Sequence, residues 1–80
     1  MNNNQNIYIM EKVIYQNYKG YKIVSNNNNI QIGDWGMIRN VPQDLQLSEI
    51  EELIEKFIAW YETQKFREFR YIEYESLLKL

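Results

Sequence analysis

The side chains able to do chemistry in this chain are carboxylates, amines, hydroxyls and phenols, because histidine and cysteine are both absent from its 80 residues. That removes the most versatile proton shuttle, the strongest biological nucleophile and the usual ligands of zinc. Catalysis would have to run on Asp, Glu, Lys, Ser or Tyr alone. The acidic series Asp44, Glu49, Glu51, Glu52 and Glu55 has the spacing of one solvated helix face, and Glu52 with Lys56 is an ordinary i, i+4 pair. Its sharper reading is a phosphate-like row that occupies a basic channel, but a net charge of −2 is small for such a mimic. Gly33-Asp34-Trp35-Gly36 is too short for a phosphate loop and reads as a turn. The expectation is a protein that is not an enzyme and that uses no metal or cofactor.

Aromatic residues make up 15% of the chain, with seven Tyr, two Trp and three Phe. Phe57, Tyr61 and Phe69 are expected as core filling. Trp60, Tyr71 and Tyr74 divide evenly between core and interface, since Tyr and Trp serve as binding anchors. Together with Arg67 and Arg70, and with Glu52 and Glu55 as electrostatic contributors, they form the candidate partner-binding set. The interleaving of Tyr15, Tyr18, Lys19, Tyr21 and Lys22 suits a single-stranded nucleic-acid platform. Strand alternation, with Lys outward and Tyr inward, explains it more simply. Residues 1–40 carry four basic against two acidic side chains, and residues 41–80 five against nine. Neither half has the clustered cations of a phosphate-binding surface, so nucleic acid is an unlikely partner.

The elements that must position these residues follow from periodicity. Eighty residues support one domain and one thin core. The tract Asn2–Asn6 lacks an apolar anchor, and residues 1–6 are expected to be disordered. Strands are predicted from Ile7 to Tyr15 and from Tyr18 to Val24, with Gly20 marking a bulge or the close approach of another group, and the Asn26–Asn29 run is a hairpin loop leading to Ile30–Ile32. A further short strand is expected near Trp35, Met37 and Ile38, closing a β region over 7–40. After Pro42, Ser48 and Glu51 form a capping box with Leu47 as the staple. The apolar stripe Ile50, Leu53, Ile54, Phe57, Ile58 and Tyr61 then defines a helix. Without Gly or Pro beyond Pro42, helix is preferred over a terminal strand through residues 66–80, although Arg70–Glu75 also alternates. The predicted fold is α+β: a small antiparallel sheet of three or four strands packed on a long C-terminal helix, with a second helix or helical extension in a helical region over 48–80. The opening residues lack a signal-peptide pattern and no window reaches the length of a membrane span, so a cytoplasmic protein without membrane attachment is expected.

The run Tyr18-Lys19-Gly20-Tyr21-Lys22-Ile23, followed by a short strand pair and Leu47-Ser48-Glu49-Ile50-Glu51-Glu52-Leu53-Ile54, resembles small phage and mobile-element accessory proteins of β-hairpin-plus-helix build, among them anti-CRISPR inhibitors. The likeness covers residues 15–58, and the segments 33–46 and 66–80 depart from it. It implies a domain that binds and blocks a protein partner such as a host defence complex, in the host cytoplasm. Two other readings rest on residues alone: a homo-oligomer packed through the aromatic tail, and nucleic-acid binding through the Tyr-Lys hairpin.

Overall fold

The computed structural model describes residues 11–65 and 68–80. The Asn2–Asn6 tract, the first four residues of the expected opening strand, Phe66 and Arg67 lie outside them. Four strands run as a meander: β1 (Glu11–Tyr18), β2 (Tyr21–Asn26), β3 (Asn29–Ile32) and β4 (Gly36–Arg39). Helix α1 (Leu47–Glu62) then crosses the sheet to β5 (Arg70–Glu73), and a short helix α2 (Tyr74–Leu78) closes the chain. The strand order is β1-β2-β3-β4-β5, antiparallel except for the parallel β4–β5 pair. The class is α+β as expected, but the sheet has five strands rather than three or four.

Local chemistry accounts for the turns. Lys19 and Gly20 both have positive φ, 52° and 93°, as a two-residue hairpin turn of primed type requires. The predicted Tyr18–Val24 strand is therefore broken there, and Gly20 is a turn residue rather than a bulge. The Asn17 side chain braces the turn by accepting from the Gly20 N–H at 2.7 Å. In the next hairpin Asn27 takes φ 59°, which Asn tolerates better than most residues. The irregularity expected at Gly20 falls inside β1, where the pairing slips between Val13 and Tyr15 and again before Tyr18.

The start and end of α1 both differ from expectation. Its cap is Gln46, whose N–H donates to Glu49 Oε1 at 2.7 Å, so the box lies two residues before Ser48 and Glu51. Leu47 is the first helical residue and stays largely exposed instead of stapling. Glu51 is unavailable for capping because it accepts from the Tyr15 hydroxyl. At the other end, Thr63 and Gln64 bond back to Trp60 and Tyr61 and stop the helix. A helix through Arg70–Glu73 would leave the outer edge of β4 with unpaired backbone groups, whereas a strand pairs them. The alternating pattern wins over the helical one there, and helix resumes only at Tyr74.

One face of the sheet holds the core. Ile23, Ile30, Ile32 and Ile38 meet Leu53, Ile54, Phe57 and Tyr61 of α1, and Leu77 of α2 joins the same cluster. Among the described residues no helix is long and apolar enough to cross a membrane. The closest approach is at Gly36, where an added Cβ would overlap the Phe57 ring. Gly36→Ala is therefore expected to cost about 1–3 kcal/mol by overpacking, read as a lower urea midpoint, and Phe57→Leu in that background should recover part of the loss.

Candidate protein-interaction surface

The surface follows from strand alternation. With Ile23, Ile30, Ile32 and Ile38 turned to α1, the residues between them must point the other way. Pairing aligns these outward residues across every strand: Val13 opposes Val24, Val24 opposes Gln31, Gln31 opposes Met37 and Met37 opposes Tyr71. The result is one unbroken row across the sheet face opposite α1, which neither α1 nor α2 covers. Its ends are the most open, with Val13 39% and Tyr71 56% exposed. Val24, Gln31 and Met37 are half-buried by their neighbours.

The polar groups of this face are largely partnered within it. Gln31 Nε2 donates to the Gly33 carbonyl at 3.1 Å. The Arg39 guanidinium lies 4.9 Å from the Tyr71 ring centre and 3.5 Å from Glu73, which also accepts from Asn40 Nδ2. Lys22 and Arg39 on this face are balanced by Glu11 and Glu73, so it carries no net charge.

A second polar network ties β1 to the helix. Tyr15 and Tyr18 donate their hydroxyls to Glu51 and Glu55, two carboxylates one turn apart on α1, and Lys19 Nζ lies 2.7 Å from Glu55. Hydrogen bonding to Lys19, and then to Tyr18, holds the Glu55 carboxyl below its ordinary range. The hydrogen bond to Glu55, with desolvation next, pushes the Tyr18 phenol up to about 12. The hydrogen bond to Glu51 raises Tyr15 likewise.

The predicted partner-binding residues fall on different parts of the molecule. Tyr71 lies on the open sheet face. Glu52, Glu55 and Tyr74 line a concavity on the helical side. Trp60 packs on the core, its ring 5.4 Å from Phe57, and Arg70 is half-buried beside Glu68 at 3.8 Å. Phe57 and Tyr61 fill the core as expected, while Phe69 is half exposed. Lys56 reaches the Leu77 and Leu80 carbonyls, at 3.4 and 3.3 Å, rather than pairing with Glu52. Tyr15, Tyr18 and Tyr21 turn to the helix side, so the Tyr-Lys run does not present a stacking platform.

Sequence reasoning missed Val13, Val24, Gln31, Met37 and Arg39. The signal present was parity: Val24 and Met37 sit at outward positions of strands whose inward positions are already apolar. No protein-family model, curated protein or solved structure matches the chain.

The Tyr–Glu network sets a pH dependence. A phenol raised in the folded state adds stability that is complete below its unfolded value of 10.0 and is lost as pH rises through about 12. A lowered carboxyl adds stability above its ordinary value that is lost as pH falls through the depressed one. The melting temperature should therefore fall between pH 10 and 12 as tyrosinate absorbance appears, and Tyr18→Phe should flatten that fall.

Proposed function

We propose that this chain is a non-enzymatic protein-binding accessory module that occupies a partner's surface with the sheet face opposite α1. The observation that carries this reading is the in-register row Val13, Val24, Gln31, Met37 and Tyr71. An antiparallel sheet facing water commonly alternates apolar-in with polar-out. Here three strands place an aliphatic or thioether side chain outward at the same level, and a fourth places Tyr.

Burying the centre of this face leaves few polar groups without partners. Gln31 is bonded to Gly33, and Arg39 is engaged by Tyr71 and Glu73. Desolvation would leave few orphan donors, which is the main penalty in covering a mixed surface. The sheet edges are less suitable for contact. β1 is bulged twice and β5 has only four residues, both devices that blunt strand-to-strand association. The balanced charges also disfavour a polyanionic partner.

Size distinguishes a foreign partner from a second copy. Five strands at ~4.8 Å spacing and about five residues of strand length give a flat area of roughly 400 Å². That is about half of the ~800 Å² per side of a standard interface. Two copies laid face to face would gain only this area, whereas a larger partner can continue past its margins. The resemblance of residues 15–58 to phage and mobile-element inhibitors extends the reading to a partner within a host defence complex in the cytoplasm.

Met37→Lys and Tyr71→Glu change exposed or half-exposed positions and should alter stability by no more than about 1 kcal/mol. The immobilised wild-type chain should retain a defined protein from host lysate that both variants lose while keeping their circular dichroism spectra. Identical retained sets for wild type and variants would overturn the assignment. A wild-type dimer in sedimentation that Met37→Lys converts to monomer would replace the foreign partner with a second copy.

A further inference from the structure

The helical side of the molecule has a different chemistry from the sheet face. A concavity of about 780 Å³ runs along α1 toward α2. Leu45, Leu53, Tyr74 and Leu78 supply its apolar surface, and Glu49 and Glu52 stand on its margin. Leu53 is buried, Tyr74 is half-buried, and Leu78 is 49% exposed at the open end. An apolar floor with a solvent-facing leucine at its mouth is the form of a groove that takes side chains from outside.

Charge identifies what kind of segment would fill it. Helix α1 carries Glu49, Glu51, Glu52, Glu55 and Glu62 against Lys56 alone. Lys56 lines the same concavity with its ammonium turned to the Leu77 and Leu80 carbonyls, and it offsets only one of the four lining carboxylates, Glu49, Glu51, Glu52 and Glu55. Among the described residues Glu52 has no hydrogen bond or ion pair, so its carboxylate is available to an incoming cation. Anionic surfaces, whether nucleic acid or acidic lipid, meet like charge here. A second copy of the chain is a poor occupant as well, since its one long helix carries the same excess of negative charge.

We propose that the groove between α1 and α2 binds a basic amphipathic segment of a partner protein. Apolar side chains repeating at helical spacing would rest on Leu53, Tyr74 and Leu78, and Lys or Arg on the flanks would lie over Glu52 and Glu49. This is helix-in-groove recognition, with burial providing affinity and charge setting orientation and association rate. It is independent of the sheet face, which lies on the opposite side of the sheet and carries no net charge.

The test uses the full chain with two synthetic 14-residue probes of the same helical pattern, one of Leu and Lys, the other of Leu and Glu. Titrating the Leu/Lys peptide should shift amide resonances of residues 45–56 and 74–78, and the Leu/Glu peptide should leave them in place. Glu52→Lys should weaken the Leu/Lys peptide about fivefold at low salt, with a smaller difference at high salt as screening removes the attraction. Leu78→Ser should weaken it by a comparable factor at any salt. Met37→Lys should leave it unchanged, so loss of partner capture through the sheet face and loss of peptide binding report separate failures. Equal binding of both peptides, shifts confined to Val13, Val24, Met37 and Tyr71, or unaltered affinity in folded Glu52→Lys and Leu78→Ser would each overturn the proposal.

Discussion

A single 16-residue helix has to cover one face of a five-stranded sheet, and most of the architecture is a response to that mismatch. A helix with its side chains is about 10–12 Å across, whereas five strands extend about 24 Å. The helix seats most closely over β4, where Gly36 has no side chain and the Phe57 ring fills the space. Phe57 and Trp35 together centre the aromatic packing: Phe57 has Trp35, Trp60 and Tyr61 at centroid distances of 5.6, 5.4 and 6.2 Å, and Trp35 has Tyr21 and Tyr61 at 5.0 and 4.4 Å. A larger residue at position 36 would lift the helix from the sheet and open every contact that depends on its height.

Width beyond the helix is filled from both sides by different chemistry. Toward β1 the gap is spanned by Tyr15 and Tyr18, whose rings pack on the core while their hydroxyls reach Glu51 and Glu55. Toward β5 it is closed by Leu77 of α2, fully buried at the end of the chain. The high aromatic content is therefore largely a structural requirement. A thin core gains volume from large rings, and Tyr also satisfies polar atoms at the boundary. Among the candidate anchors, Tyr71 is left on the sheet face and Tyr74 at the groove, while Trp60 is drawn into packing.

Among the described residues α1 and α2 both lie on one face of the sheet, which gives the molecule two surfaces of contrasting character. The sheet face carries balanced charge, with Gln31 bonded to Gly33 and Arg39 to Glu73. The concavity on the helical side is lined by four glutamates and one lysine. The two surfaces therefore differ in charge as well as in position.

The amphipathic stripe from Ile50 to Tyr61 was legible in the residues themselves, as were the Asn hairpin and the α+β order, because each depends on spacing within one segment. The helix cap lies at Gln46, two residues before the Ser48-Glu51 pattern, and Glu51 instead accepts from Tyr15, 36 residues away in sequence. The stretch from Arg70 to Glu73 carried both helical and alternating patterns, and only the unpaired edge of β4 selects between them. Parity along each strand marks Val24 and Met37 as outward, but the row from Val13 to Tyr71 is not legible as a row: each outward residue belongs to its own strand, and only the register of four strand pairings aligns them. Local periodicity thus determined which residues face inward along each element. Tertiary pairing decided which outward residues meet, because hydrogen-bond register relates positions that are distant in the chain.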